Sequence, residues 1–296
     1  MNRRALILGV LACLTWSTVF VLGRLTISQH ETDPVVLGFY RFAIGGLILT
    51  AAMCLLGRGR ELAALGREPL RFLVLGLTGG FGMGFCVFLA LLHTTSISVQ
   101  IVMNSNPVLI VPLSLLIGER VGVGKVAGVV LGVVGCVLVL GGLPEEVVRL
   151  TPGHLKGGLL AAGSGLCWAV YTVFGRGLVR RHGGLTTTTL SMALGGVFFA
   201  VACLAMGKGL LLADWRGAAV GLYLGVVPTA FGFTAWYVAL EKLPANVLGP
   251  LQFIVPVGGV ALAIALLGET LTAVMGLGGV VALTGVYLST RGGSSA

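Results

Sequence analysis

Long apolar runs separated by short polar segments recur along the whole chain. Each run approaches the ~20 residues that an α-helix needs to cross the hydrocarbon core of a bilayer. The interval from Phe72 to Gly118 contains no Asp, Glu, Lys or Arg, is too long for one helix, and is divided here at His93-Thr94-Thr95. The pattern predicts an all-α membrane protein of ten transmembrane helices, at residues 5–26, 34–56, 71–92, 97–117, 122–141, 156–178, 185–206, 216–240, 245–267 and 271–290.

The first apolar run follows Asn2-Arg3-Arg4, a start that is also typical of a secretory signal peptide. The run from Ala5 to Gly23 is long enough to span a bilayer, and no small-residue cleavage site follows it. We therefore interpret this run as a retained first transmembrane helix.

The charge distribution predicts how the helices are oriented, because cytoplasmic loops carry an excess of Lys and Arg. A cytoplasmic N-terminus places Arg58, Arg60, Arg67 and Arg180-Arg181 on the cytoplasmic side, together with most of the other basic residues. With an even number of spans, both termini are expected in the cytoplasm.

Composition supports a lipid bilayer as the main partner of this surface. Of 296 residues, 56% are hydrophobic and only 10% are charged, whereas soluble domains carry roughly 25% charged residues. The net charge of +9 comes from basic residues at the ends of apolar runs, with no basic stripe between aromatic residues. This pattern excludes nucleic acid as an expected partner.

The two halves of the chain contain the same motifs in the same order. The matched pairs are Trp16 and Trp168, Gly23-Arg24 and Gly175-Arg176, Pro107 and Pro256, and Gly118-Glu119 and Gly268-Glu269. A unit with an odd number of helices reverses direction when it is repeated, so five-helix units predict an inverted repeat. We expect the first repeat at residues 1–142, a periplasmic linker at 143–155 and the second repeat at 156–291.

Several motifs resemble a known family: Leu14-Thr15-Trp16-Ser17, Phe39-Tyr40-Arg41-Phe42, Asn106-Pro107 with Ile117-Gly118-Glu119-Arg120, and Phe253-Ile254-Val255-Pro256 with Leu267-Gly268-Glu269-Thr270. Together they are similar to the ten-helix, EamA-type branch of the drug/metabolite transporter superfamily, from Leu6 to Thr290. Thr270 departs from the basic residue usual in the family. The resemblance implies export of small metabolites or amino acids across the bacterial inner membrane, and one member exports aromatic amino acids.

The four tryptophans divide by their depth in the predicted helices. Trp215 and Trp236 lie near helix ends and fit an interfacial aromatic belt. Trp16 and Trp168 lie near the midplane, where a belt role is excluded, and Phe20 and Tyr171 extend the same helix faces. These four side chains are expected either to line a central substrate cavity or to fill space between packed helices.

Arg41 is the one formal charge well inside a predicted span. An ionisable side chain at this depth is costly and is a functional-site hypothesis by default. One interpretation is contact with a substrate carboxylate. The other is a structural ion pair with Glu31, Asp33 or Glu269, or extension of the side chain toward the outer surface.

Amides and prolines mark the fourth and ninth predicted helices. Gln100, Asn104, Asn106 and Gln252 must find hydrogen-bond partners in the protein or in a wet cavity, because unsatisfied amides are costly in lipid. Pro107 and Pro256 interrupt regular helix and are typical of bending helices beside transporter sites. The amides are candidate substrate-binding groups and the prolines candidate gating kinks, with hydrogen bonding between helices as the alternative for the amides.

The sequence does not predict an enzyme, a metal site or a cofactor. It contains no HExxH, GxSxG or phosphate-binding GxxxxGK[ST] motif, and its four histidines are scattered. We predict a transporter that exports small metabolites, in particular aromatic or hydrophobic amino acids, by alternating access. A multidrug or nucleobase efflux carrier of the same fold is the alternative, ahead of a channel or an intramembrane enzyme.

Oligomeric state and energy coupling stay open in this interpretation. A monomer and a homodimer are both compatible with the glycine-rich helix faces. Every Asp and Glu lies in a loop or at a helix end, and His93 is far from the midplane. We therefore expect facilitated export that is driven mainly by the gradient of the substrate.

Overall fold

The computed structural model describes residues 3–29, 31–106, 109, 113, 123–141, 152–212, 214–242, 251 and 254–291. Within these ranges the chain forms helices and turns but no strand. The longer helices are α1 (Arg3–Gln29), α2 (Pro34–Leu55), α3 (Pro69–Leu75, Gly76–Gly82 and Met83–His93), α4 (Ser96–Asn104), α5 (Val123–Gly141), α6 (Pro152–His182), α7 (Gly184–Ala205), α8 (Trp215–Leu224, Gly225–Phe231 and Gly232–Lys242), α9 (Ile254–Leu267) and α10 (Ala273–Arg291). A 3₁₀ helix (Gly59–Ala63) and a short α-helix (Ala64–Arg67) lie between α2 and α3. In α3 and α8 the middle of the three consecutive segments is a π-helix.

Several helices match the length that a bilayer requires. Among the described residues, six are long and apolar enough to cross a membrane: Arg3–Gln29, Pro34–Leu55, Pro69–His93, Gly153–Gly175, Gly184–Ala205 and Trp215–Trp236. This confirms the predicted all-helical class. The predicted spans at 97–117 and 245–267 lie partly outside the described residues, so the count of ten transmembrane helices stays a prediction.

The outer surface of the helices is apolar. Leu47 on α2 is 70% exposed and Val197 on α7 is 57% exposed, and both lie within apolar spans. Large exposed apolar faces are unfavourable in water and are suited to contact with hydrocarbon. The surface therefore agrees with the membrane environment that the composition predicts.

Carboxylates fix several helix ends. Asp33 accepts hydrogen bonds from backbone N–H groups in the first turn of α2 and pairs with Lys208, which follows α7. Glu269, which precedes α10, accepts from the backbone N–H groups of Ser96 at 2.8 Å and Ile97 at 3.0 Å. These are the first residues of α4, so Glu269 caps a helix that is distant in sequence. A carboxylate is favourable there because the N-terminus of a helix carries partial positive charge.

α2 and α7 cross with their backbones in contact. The contacts at the crossing join Gly46 to Ala193 and Gly196 to Ala43. A Cβ atom added to Gly46 would lie 2.7 Å from Cα of Ala193, and one added to Gly196 would lie 2.8 Å from Cα of Ala43. Only glycine permits this approach. The same glycine–alanine contact is therefore made twice, once with the glycine on α2 and once with the glycine on α7.

Other pairs of helices in the described fold also make equivalent contacts twice, with the roles of the two helices swapped. Gly135 of α5 lies against Ala282 of α10, and Gly285 of α10 lies against Gly132 of α5. The π segment of α3 packs against α7, and that of α8 packs against α2. Helices from the first and second halves of the chain thus contact one another in reciprocal pairs.

Candidate functional site

A cavity lies among α1, α2, α3, α6, α8 and α9, beside the end of α4. Inside it, the space that water-sized molecules can reach is about 80 Å³. Among the described residues, its lining combines aromatic, aliphatic and amide side chains with one charged group: Trp16, Val19, Phe20, Arg41, Met83, Val87, Met103, Asn104, Asn106, Trp168, Phe233 and Val255. The cavity therefore contains six of the residues that were predicted from the sequence to bind substrate.

The tryptophan of the first half is held by a hydrogen bond and by aromatic contacts. Trp16 Nε1 donates to the carbonyl oxygen of Pro228, in the π segment of α8, at 2.8 Å. Its ring centroid lies 5.3 Å from that of Phe233 and 5.4 Å from that of Trp236. These distances are typical of favourable aromatic pairs, so the orientation of Trp16 is fixed from two directions.

The tryptophan of the second half lies across Phe233 from the first. The ring centroid of Trp168 on α6 is 6.4 Å from that of Phe233 and 5.5 Å from that of Tyr171. Phe233 is thus in contact with both midplane tryptophans. Tyr171 does not line the cavity: it is buried against Gly79 in the π segment of α3. The rings of Trp16, Phe233 and Trp168 form one wall of the cavity.

Arg41 lies at the cavity, and only one of its N–H donors bonds to a described residue. Its side chain is 5% exposed, Nε donates to Oγ1 of Thr229 at 3.2 Å, and the guanidinium lies 4.9 Å from the centroid of the Phe42 ring. Thr229 Oγ1 in turn donates to the carbonyl oxygen of Leu224 at 2.8 Å, across the π segment of α8. A guanidinium has five N–H donors, and leaving them unpaired in a buried site is costly.

The acidic residues proposed as structural partners of Arg41 are placed elsewhere. Asp33 pairs with Lys208 at the start of α2, and Glu269 caps α4. Glu31 is exposed, in the segment between α1 and α2. Within the described part of the chain, Arg41 therefore has no carboxylate partner, and the structural ion pair that the sequence allowed is not formed there.

Two asparagines line the cavity, Asn104 at the end of α4 and Asn106 just after it. Asn104 Nδ2 donates to the carbonyl oxygen of Gln100 at 2.7 Å, and Asn106 Nδ2 donates to that of Met103 at 3.1 Å. Each amide nitrogen donates one bond to the backbone of its own segment, so each side chain still offers its Oδ1 as an acceptor and a second N–H as a donor to a ligand.

Other predicted site residues are not on the cavity wall. Gln100 is 1% exposed, and its Nε2 donates to the carbonyl oxygen of Pro256 at 3.0 Å, which links α4 to α9. Pro256 itself lies in α9. Gln252 and Pro107 lie outside the described residues. Gln100 and Tyr171 are therefore not among the residues that line the cavity.

About half of the cavity lining was not predicted from the sequence. Val19, Met83, Met103 and Val255 are apolar residues of apolar helices, and nothing in their spacing separates a cavity wall from a packed interface. Thr229 had a usable signal, because Pro228-Thr229 interrupts an apolar run in α8.

Comparison with known proteins identifies the fold and its transport role. Residues 3–141 and 155–291 each match the EamA-like transporter family. The chain belongs to this family. An uncharacterized transporter of Archaeoglobus fulgidus is 30% identical over 98% of both chains. The aromatic amino acid exporter YddG of Ancylobacter novellus is 30% identical, over 86% of this chain and 85% of its own.

A second named exporter and a solved structure are also similar to this chain. The threonine/homoserine exporter RhtA of Escherichia coli K12 is 29% identical, over 82% of this chain and 77% of its own. A solved crystal structure superposes with a TM-score of 0.69 at 25% identity, over the full length of both chains. The protein is accordingly a multi-pass membrane transporter of small molecules and not an enzyme.

Proposed function

We propose that this EamA-family protein exports amino acids with aromatic or hydrophobic side chains across the bacterial inner membrane. One observation carries the proposal: the cavity places Arg41, which has no carboxylate partner among the described residues, beside an aromatic wall of Trp16, Trp168 and Phe233. A relative named as an aromatic amino acid exporter agrees with this chemistry.

Each part of the cavity has a matching part of such a substrate. The remaining N–H groups of Arg41 bind the substrate carboxylate, because a planar guanidinium matches a carboxylate in two hydrogen bonds. The apolar side chain of the substrate lies against Trp16, Phe20 and Trp168. The free Oδ1 atoms of Asn104 and Asn106 accept from its ammonium group.

Alternating access follows from the proposed architecture of ten transmembrane helices in two inverted five-helix repeats, residues 1–142 and 156–291, joined by a linker at 143–155. Reciprocal contacts between α2 and α7 and between α5 and α10 support it, since a two-fold axis makes each contact recur with its partners exchanged. Rocking of one half against the other would open the cavity to each side in turn.

The alternative functions differ in the charge they require. Efflux of cationic drugs is disfavoured, because Arg41 is the one charged residue of the described lining and repels cations. Nucleobase efflux would use the aromatic wall but leaves the Arg41 charge without a partner. The role of Arg41 therefore separates amino acid export from both.

Counterflow in proteoliposomes tests this proposal. Vesicles loaded with unlabelled L-phenylalanine are expected to take up external labelled L-phenylalanine with saturable kinetics, and Arg41→Gln is expected to abolish the uptake. Arg216→Gln is the matched control, because its guanidinium also lies over an aromatic ring, 5.6 Å from that of Trp215, but on the exposed surface. Saturable uptake of adenine or uracil but of no amino acid would replace the proposal with nucleobase efflux.

A further inference from the structure

The charges at the cavity do not match those of an amino acid. A zwitterion brings one negative and one positive group, and the described lining contains one cation, Arg41, and no carboxylate. The nearby acids are already engaged: Asp33 pairs with Lys208, and Glu269 caps α4. Among the described lining residues, an ammonium group would meet the neutral amide oxygens of Asn104 and Asn106 and the faces of aromatic rings, but no negative charge.

The interaction of Arg41 with a carboxylate and that of Asn104 and Asn106 with an ammonium group differ in strength. A hydrogen-bonded ion pair in a buried site is stronger than a hydrogen bond from a cation to a neutral amide. A ligand carboxylate would also give Arg41 hydrogen bonds that it lacks, because Arg41 is 5% exposed and donates one side-chain hydrogen bond to the described residues, to Thr229. Binding therefore depends mainly on the carboxylate and the apolar body of the ligand.

We infer that the ammonium group is dispensable and that the cavity transports amphipathic monocarboxylate anions, of the arylpropionate type, as well as amino acids. This inference rests on the proposed export through the same cavity. It specifies the substrate class as a carboxylate attached to an apolar body.

Such a substrate changes how export is driven. Arg41 carries the same charge in the loaded and the empty carrier, so the net charge moved in one cycle is that of the substrate. A zwitterion moves none, whereas a monocarboxylate moves one negative charge, which an inside-negative membrane potential drives outward. A potential of about 100 mV corresponds to a ~50-fold gradient of a monovalent anion. No proton-binding side chain is needed for this export.

A matched set of three ligands tests the inference. L-phenylalanine has a carboxylate and an ammonium group, 3-phenylpropionate lacks the ammonium group, and 2-phenylethylamine lacks the carboxylate. We expect 3-phenylpropionate to compete with labelled L-phenylalanine for the protein in nanodiscs, and 2-phenylethylamine not to compete. Arg41→Gln should weaken 3-phenylpropionate binding about 10- to 100-fold, as expected for hydrogen bonds to a charged group.

Charge movement gives an independent readout on solid-supported proteoliposomes. A concentration jump of 3-phenylpropionate should produce a current of inward negative charge, and L-phenylalanine should produce no sustained current. Leakage of the uncharged acid through lipid carries no charge and does not interfere. Competition by 2-phenylethylamine, or no competition and no current with 3-phenylpropionate while L-phenylalanine is still exchanged, would overturn the inference but not the proposed function.

A gain-of-function variant keeps the test independent of folding losses. Asn104→Asp adds the carboxylate that the lining lacks, so it should allow 2-phenylethylamine to compete and should weaken 3-phenylpropionate at least tenfold. Transport of 3-phenylpropionate without any amino acid exchange would support monocarboxylate transport but would refute both amino acid export and the shared use of the cavity.

Discussion

Trp16 combines two interactions at the scale of a single residue. Its Nε1 donates to the carbonyl oxygen of Pro228, and its ring contacts Phe233 and faces the cavity. The hydrogen bond fixes the ring against the π segment of α8, and the ring supplies surface to the ligand. Substitutions can separate these contributions, because phenylalanine keeps a ring but has no N–H donor.

We predict that Trp16→Ala removes most transport and that Trp16→Phe retains more of it. Removing one aromatic pair weakens binding by about 0.5–1.5 kcal/mol. Initial counterflow rates measure the effect, and they should be normalised to the amount of folded protein. Trp215→Ala is the control, since Trp215 is 72% exposed and should stay near wild type. A fall that only follows the amount of folded protein would show that Trp16 has a packing role alone.

Polar and aromatic site residues were predictable because each is costly or unusual in lipid. Arg41 and Asn104 stood out by charge and hydrogen bonding, and Trp16 by its depth. Phe233 carried no such signal, since an apolar residue in an apolar helix is expected everywhere. Trp236 was assigned to the interface from its position near a predicted helix end, but it is buried and packs against Trp16, a contact that only tertiary packing determines.

At the scale of helices, the crossing of α2 and α7 allows no added atom. We predict that Gly46→Ala lowers the melting temperature and the transport rate, because the new Cβ would lie 2.7 Å from backbone atoms of Ala193. Gly276→Ala on α10 is the matched control: its Cβ meets nothing within 4 Å. Alanine is favoured over glycine in a helix by about 1 kcal/mol, so this control should be neutral or stabilising. Equal melting temperatures for the two variants would contradict the close crossing.

The 3₁₀ helix between α2 and α3, Gly59–Ala63, is held to α7 by the carboxylate of Glu61. Hydrogen bonds from Arg58 and from Thr186, in the first turn of α7, lower the pKa of Glu61 from 4.5 to about 2. Because the folded pKa is depressed, the stabilisation is present above pH 4.5 and is lost as the pH falls toward 2.

We therefore predict that Glu61→Gln is less stable than wild type at about pH 7 and that this difference shrinks as the pH approaches the folded pKa of about 2. Thermal unfolding of both proteins in the same detergent, measured from neutral to acidic pH, checks the trend. The side chain of Glu61 is partly exposed, so the difference should be modest and should decrease in high salt. A difference that grows on acidification would contradict the assigned contacts.

Hydropathy predicted the positions of most described helices, because a transmembrane helix is recognised by its local composition. The predicted spans at 34–56 and 185–206 agree with α2 and α7 within one residue at each end. The π segments of α3 and α8 were not predicted. The π segment of α8 places Pro228 and Thr229 against Trp16 and Arg41, and these contacts depend on neighbouring helices rather than on local sequence.

For the whole molecule, the charge distribution predicts a topology that fusions can test. A reporter that is active only in the periplasm should be silent after Ala296 and active after Glu146, because most Lys and Arg residues would then face the cytoplasm. Fusions after Arg67 serve as a second cytoplasmic point. Activity after Ala296 together with activity after Glu146 would require an even number of spans between them and would remove the inverted repeat.

The crossing of α2 and α7 has a consequence for the resting state of the empty carrier. Under the proposed exchange of halves, the contacts Gly46–Ala193 and Gly196–Ala43, which are formed together, map onto one another, so this crossing contributes equally to the two states. Only residues without a matching counterpart can make one state lower in free energy. Arg41 is such a residue, since Ser191 occupies its position in α7. The side chain that selects the substrate would then also set which face of the membrane the vacant site prefers.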